Sequence, residues 1–309
     1  MKVLVTGGAG FIGSHTVDAL LAEGMEVEVL DNLSTGFAHN VPDGVRLIRA
    51  DVAAPESTNL IADGGYDAVF HLAAQIDVRK SMEDPVFDAM TNVVGSIRVL
   101  EGCRLGGTKT VVFASSGGAC YGEQDVFPTP ESQPTRPISA YGAAKVAVEK
   151  YLYSYQANYG VEFRAMRYAN VYGERQNPHG EAGVVAIFLN KMLKGERPRI
   201  NGDGLQSRDY VYVGDVAKAN VLALTRIRQS GAFNVGTGRE HTVVDVFNGL
   251  NRFFNGRFSP EYGPAKPGEQ RRSCVSPECF YSVTAFRPQT ALADGLQATA
   301  EWFKQRAFS

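Results

Sequence analysis

Short apolar runs alternate with longer amphipathic stretches through the first half of the chain. Val3–Thr6, Glu26–Leu30, Val45–Arg49, Ala68–Leu72 and Thr110–Ala114 are brief and rich in Val, Ile or Phe, as buried strands are. Helical patterns fill the intervals at Phe11–Glu23, Pro85–Leu105 and, after the fifth strand, Ala140–Tyr159. Such alternation implies parallel strands joined by crossover helices, hence an α/β fold with a doubly wound, Rossmann-type sheet. Glu162–Arg167 predicts a sixth strand, after which the pattern loosens. Gly195–Gly204 is turn-rich, and Glu261–Gly268 holds two prolines and two glycines. The expected division is a sheet domain over residues 1–169, with some later segments returning to it, and a smaller C-terminal lobe over 170–309.

At 309 residues the chain can bury a core without staples. A formal net charge of −2 gives no basis for a nucleic-acid partner or an anionic membrane surface. No apolar run is long enough to span a bilayer. Met1–Gly13 leads directly into a strand and a glycine motif, which predicts no cleavable signal. Cys103, Cys120, Cys274 and Cys279 form no C-x-x-C pair, and no histidine cluster stands near them. Neither a metal site nor a disulfide framework is expected, and a cytoplasmic setting suits such thiols.

The first chemical signal is Thr6-Gly7-Gly8-Ala9-Gly10-Phe11-Ile12-Gly13, directly after a strand and opening a helix. Glycines at 7, 10 and 13 permit a tight turn and let backbone N–H groups approach a pyrophosphate at a helix N-terminus. Asp31 closes the second strand about 20 residues on, where a carboxylate bonds a ribose 2′-hydroxyl. It would repel a 2′-phosphate, and Asn32-Leu33-Ser34 brings no arginine, so NAD is expected over NADP. Asp51-Val52 ends the third strand and suits either an adenine contact or a plain turn.

Tyr141 and Lys145 stand four apart at a helix start, so both project from one face. A tyrosine serving as base must lose pKa from its free value of about 10, and a neighbouring ammonium favours the phenolate. The fifth strand runs into Ser115-Ser116-Gly117-Gly118-Ala119-Cys120-Tyr121-Gly122, at the sheet end where ligands bind. A hydroxyl there can share a hydrogen bond with substrate and tyrosine.

With T-G-G-A-G-F-I-G-S-H, H-L-A-A (His71–Ala74), Y-G-A-A-K, R-Y-A-N-V-Y-G (Arg167–Gly173), R-D-Y-V-Y-V-G-D (Arg208–Asp215) and F-N-V-G-T-G (Phe233–Gly238), the chain resembles the extended short-chain dehydrogenase/reductases. Within them it is most similar to UDP-glucose/UDP-galactose 4-epimerases, along nearly its whole length. The resemblance implies inversion at C4 of a UDP-hexose through a transient 4-keto sugar, with NAD as cofactor. Tyr141 would be the base, Lys145 would hold the nicotinamide ribose, and Ser116 would assist proton transfer. Gly7, Gly10, Phe11, Ile12, Gly13, Asp31, Asn32, Asp51, Val52, Leu72, Ala73, Ala74, Gln75, Asn92, Tyr141, Lys145 and Ala169 would surround the cofactor. Asn170 and Arg208 would meet the substrate diphosphate. A homodimer would form through the helices Pro85–Leu105 and Ala140–Tyr159; Leu100, Val146, Val148 and Leu152 offer apolar faces that equally suit internal packing.

Several positions depart from the family pattern. Counting back from Tyr121-Gly122 puts Gly117 at the catalytic hydroxyl, whereas counting back from Tyr141 selects Ser116, which is preferred. The family arginine before P-G-E is Lys266 here, followed by Glu269 where a carboxylate bonds the uridine ribose. Ser273 stands where glucose-specific relatives carry a tyrosine, which implies room for an N-acetyl group, as in UDP-GlcNAc and UDP-GalNAc. A 4,6-dehydratase would need an Asp-Glu pair where Gly117-Gly118-Ala119 stands. Arg175 leaves a UDP-glucuronate epimerase or decarboxylase open, and a non-catalytic NAD-binding regulator would be expected to lack Tyr141 or Lys145.

Overall fold

The computed structural model describes residues 1–178, 183–265 and 270–307. Six strands follow the chain as read: β1 (Lys2–Thr6), β2 (Glu26–Asp31), β3 (Arg46–Arg49), β4 (Ala68–His71), β5 (Thr110–Ser116) and β6 (Glu162–Tyr168). A seventh, Gly231–Val235, returns from far along the chain to pair with β6. The order is β3-β2-β1-β4-β5-β6 and then Gly231–Val235, with every neighbouring pair parallel. The seventh strand is short and ends at a glycine-rich turn, so apolar periodicity does not single it out. The order reverses between β1 and β4, the switch point at which such sheets bind ligands.

Alternation along each strand feeds two cores. Val3, Val5, Val29 and Phe70 face one side with Val17 and Leu20 of the helix Phe11–Ala22 and Val216 of the helix Val213–Thr225. Leu4, Leu30, Val69 and Phe113 face the other, against the helices Ser57–Ala62, Gly95–Gly106 and Ala140–Tyr159. Leu100, Val148 and Leu152 lie in this second core at 1% exposure each, so they serve internal packing and not a partner face. Val146 is half-buried.

The stretch read as one helix over Pro85–Leu105 is two α segments, Pro85–Ala89 and Gly95–Gly106, joined by a π turn at Met90–Val94. Asn92 lies in that turn with its side chain buried, and Ser96 Oγ donates to its carbonyl at 2.5 Å. Wide turns of this kind recur at functional sites. A third core, around Tyr172, Phe188, Leu189, Phe247 and Phe303, joins the helices Val184–Leu193, Val243–Phe253 and Leu292–Ala307 in the C-terminal half.

One buried chain ties the switch point together. Ala73 N donates to Thr6 Oγ1 at 3.3 Å, and Thr6 Oγ1 lies 2.7 Å from His71 Nδ1. His71 Nε2 lies 2.8 Å from Ser96 Oγ. Because Ser96 gives its proton to Asn92, it must accept from Nε2–H, which leaves Nδ1 to accept from Thr6. The ring is therefore neutral. Burial, aided by the Lys145 charge, pulls His71 down to about 3 from 6.5. Since the folded value lies below the unfolded one, protons favour the unfolded chain. Stability from this group is complete above about pH 6.5 and falls by up to about 1.4 kcal/mol per pH unit as pH drops toward 3. Urea unfolding at pH 7 and pH 5 should show that slope reduced in His71→Asn, which cannot titrate.

Candidate active site

The glycine loop is shaped by contacts that leave no room for side chains. Gly7, at φ +72°, donates its N–H to Leu30 O at 2.8 Å; a Cβ on it would lie 2.6 Å from Ala73 N. A Cβ on Gly13 would lie 2.0 Å from Gly7 O. Asp31, 7% exposed, accepts from Ala9 N at 3.0 Å and Leu33 N at 2.8 Å, so its carboxylate braces the loop from the end of β2. Asn32 Nδ2 donates to Asp51 Oδ2 at 2.9 Å, and Asp51 Oδ1 accepts from Ala53 N at 2.8 Å, which brings Asn32, Asp51 and Val52 beside it. Phe11 and Ile12 open the helix behind Gly10, and Leu72, Ala73 and Ala74 follow β4 directly.

Gln75 and Asn92 meet each other. Gln75 N donates to Asn92 Oδ1, and Asn92 Nδ2 donates to Gln75 O, each at 2.9 Å. Asp88 Oδ1 accepts from both side-chain amides at 2.9 Å. These side chains build the floor after β4 and are already occupied. Asp88, 1% exposed, is raised by burial above the usual carboxylate range, and its Oδ2 is buried without a partner. Sequence reading missed Asp88 and the role of His71.

The candidate catalytic residues gather where β5 ends. Ser116 caps the short helix Gly117–Tyr121, its Oγ accepting from Ala119 N at 3.4 Å, and its hydroxyl stands near enough to Tyr141 to favour the phenolate. Ser139 caps the helix Ala140–Tyr159, and Ser81 Oγ accepts from Tyr141 N at 3.1 Å. Gly142 lets the two helices touch, since a Cβ there would lie 2.3 Å from Ala119 O. Lys145, 3% exposed, donates to Ala114 O at 2.8 Å, with Nζ 4.7 Å from the Phe113 ring centre and 5.6 Å from that of Tyr141. Burial lowers Lys145 to about 8, against the opposing pull of Cys120, Asp88 and Glu149. Burial raises the Tyr141 phenol above its ordinary value, and the nearby Ser116 hydroxyl works the other way.

Ser115 points elsewhere. Its Oγ donates to Glu149 Oε1 at 2.7 Å, and Glu149 pairs with Arg167 Nη2 at 2.6 Å and Nε at 3.0 Å. Burial works against the Arg167 charge, but Glu149 raises it above its ordinary value. An arginine inside the apolar strand β6 signalled such a partner, and Glu149, four residues past Lys145, shares that helix face.

Across from Ser116 lie the proposed substrate residues. Ser273, 6% exposed, pairs in register with Arg208, and its Oγ would lie 2.9 Å from a Cβ on Gly118. Arg208 Nη1 donates to Ser207 O at 2.8 Å. Asn170 is exposed after Ala169, at the end of β6, and donates its N–H to Asp209 O at 2.8 Å. Arg175 is ion-paired with Asp18 at 2.8 Å, on the glycine-loop helix. Lys266 and Glu269 lie outside the described residues.

A glycine cradle at the switch point, a strand-end carboxylate and a Ser–Tyr–Lys group beside them are what a dinucleotide-dependent enzyme requires. The chain belongs to the NAD dependent epimerase/dehydratase family, which matches residues 3–236. It is similar to the UDP-glucose 4-epimerase of Thermotoga maritima, solved with UDP-glucose, at 43% identity and TM-score 0.96 over 99% of this chain and 100% of that one. It is also similar to the Thermus thermophilus UDP-glucose 4-epimerase solved with NAD, at 45% identity and TM-score 0.92 over 98% and 99%. A third similar structure is the UDP-N-acetylglucosamine 4-epimerase of Methanobrevibacter ruminantium with UDP-N-acetylmuramic acid, at 34% identity and TM-score 0.93 over 99% and 98%.

With Lys145 at about 8, turnover should fall as pH rises through that value and the ammonium is lost. A pH–rate profile checks this; in Lys145→Arg, which stays charged, that alkaline limb should disappear, at a lower absolute rate.

Proposed function

We propose that the protein is an NAD-dependent UDP-hexose 4-epimerase, interconverting UDP-glucose and UDP-galactose and accepting UDP-GlcNAc and UDP-GalNAc. The observation that carries this reading is the convergence of Ser116, Tyr141 and Lys145 at the end of β5, beside the glycine cradle of β1. The cradle fits a dinucleotide: Gly7 and Gly13 let the loop close tightly on Ala73 and on itself, the turn a pyrophosphate-binding loop requires, and the Asp31 carboxylate disfavours a 2′-phosphate. When bound, NAD would supply the hydride acceptor for C4 and the donor for the hydride's return to the opposite face.

Tyr141 takes the proton of the 4-hydroxyl and later gives it back. Burial opposes its ionisation, so the Lys145 ammonium and the positive nicotinamide are needed to favour the phenolate. Lys145 spends one N–H on Ala114 O, which leaves two for the nicotinamide ribose. Ser116 donates or accepts within the same hydrogen bond. Asn170 and Arg208 bind the diphosphate, the latter through arginine's planar fork. Ser273 walls the sugar beside Gly118.

Arg175, which left a uronate substrate open, is ion-paired with Asp18, which supports the plain hexose reading. Exposed Val86 and Met90 on the segments Pro85–Val94, with Tyr151 and Tyr153 on the helix Ala140–Tyr159, support a homodimer through these helices. Among the described residues no helix is long and apolar enough to cross a membrane. Four unpaired thiols fit the reducing cytoplasm.

Proton NMR of the anomeric region, with UDP-galactose and then UDP-N-acetylgalactosamine, should show conversion to the gluco isomers; no conversion of either with NAD present would sink the reading. Tyr141→Phe should lose at least about a hundredfold in kcat while NAD still binds. Ser273→Tyr should depress N-acetylhexose turnover by about tenfold or more relative to hexose, and equal rates would remove Ser273 from the wall.

A further inference from the structure

The wall at Ser273 is not held by its own strand alone. Asn234, on the edge strand Gly231–Val235, is fully buried and spends its whole side chain across three distant segments. Its Oδ1 accepts from the Tyr121 hydroxyl at 2.9 Å. Its Nδ2 donates to Thr129 O at 3.0 Å and Ser276 O at 3.2 Å. Thr129 N in turn donates to Cys274 O, and Ser276 N to Thr129 O, each at 2.9 Å, so Thr129 and Val275 run as a bridged pair. Both amide protons are therefore committed to the segments that carry the wall.

The other end of this strut reaches the catalytic strand. Arg167 Nη1 donates to the Tyr121 hydroxyl at 2.8 Å; Arg167 pairs with Glu149, which accepts from Ser115, the neighbour of Ser116. Between the two ends, Gly117 and Gly118 pack directly on the wall. A Cβ on Gly117 would lie 2.6 Å from the Val275 side chain, and one on Gly118 would lie 2.9 Å from Ser273 Oγ. The gap beside Ser116 is thus set by how far residues 273–276 stand from the helix Gly117–Tyr121, and Asn234 is bonded to both.

We propose that Asn234 is a specificity-determining positioning residue, fixing through Tyr121, Thr129 and Ser276 the separation between the sugar wall and the catalytic serine. This rests on the epimerase reading. It acts without touching substrate: the wall supplies the surface, and Asn234 sets where that surface stands. An acceptor in place of the amide nitrogen would face two carbonyls and push the wall outward, enlarging the space for a C2 substituent.

The test compares Asn234→Asp, which keeps shape and the Tyr121 bond, with Tyr121→Phe, which keeps the ring and breaks the link to Arg167. Asn220→Ala serves as control, since Asn220 is equally buried but bonds Tyr168 and Thr16 on the other face of the sheet. Calorimetry gives the Kd for UDP-galactose and UDP-N-acetylgalactosamine; turnover gives the kcat/KM ratio of the same pair. The expected result is a shift of about threefold or more toward the N-acetylated sugar in both site variants, with the ratio unmoved in Asn220→Ala. If Asn234→Asp does not fold, Tyr121→Phe decides. Ratios that stay at the wild-type value in soluble variants, with stability alone reduced, would overturn the proposal. A wild type that binds the sugars without converting them would defeat the epimerase reading, while the Kd ratio would still judge Asn234.

Discussion

The close approach of the helix Ala140–Tyr159 to the end of β5 governs the rest of the site. A backbone carbonyl, Ala119 O, occupies the space where residue 142 would carry a Cβ. Only a glycine lets the helix start seat itself so near the short helix Gly117–Tyr121. From that seat one helix face presents Tyr141 to Ser116, Lys145 to Ala114 O and Glu149 to Arg167. An ångström of retreat would open all three together, because rigid helices move as units and interiors pack without slack.

Burial then sets the chemistry. The same desolvation that lowers Lys145 raises Tyr141, so burial presses both groups toward their uncharged forms. On the proposed mechanism, activation of the tyrosine would draw on cationic charge close by, from Lys145 and, when the site is filled, from the positive ring of the dinucleotide. Reactivity is coupled to occupancy by simple electrostatics, with no moving part. The buried ion pair beneath, Arg167 with Glu149, is costly to desolvate and contributes little net stability by itself. Its value lies in orientation, since two further hydrogen bonds, with Ser115 and Tyr121, hang on it.

Much of this was legible in the sequence because it repeats or is locally constrained. Apolar periodicity located six strands to within a residue or two, and glycine spacing located the cradle, since both are dictated by backbone sterics. Counting along the chain left Ser116 and Gly117 in competition, and the structure sets the neighbouring Ser115 apart by burying it against Glu149. What escaped was the side-chain network whose members lie far apart in sequence: Asp88 with Gln75, His71 with Thr6, Asn234 with Tyr121. No local pattern encodes such pairings; they follow from the sheet order. The π turn escaped too, because its sequence, Met90–Val94, reads as ordinary helix.

The edge strand Gly231–Val235 has a bearing on how the chain is made. β6 emerges from the ribosome more than sixty residues before the strand that covers its outer edge. Until that strand arrives, β6 carries a row of unpaired amides and carbonyls, the kind of edge that recruits foreign strands. A fragment ending near residue 169 would keep this raw edge permanently, so the apparent nucleotide-binding half is not a separable unit. The helices Val184–Leu193, of the third core, and Val213–Thr225, of the first, are both made between the sixth and seventh strands, so the sheet is completed only after they are synthesised.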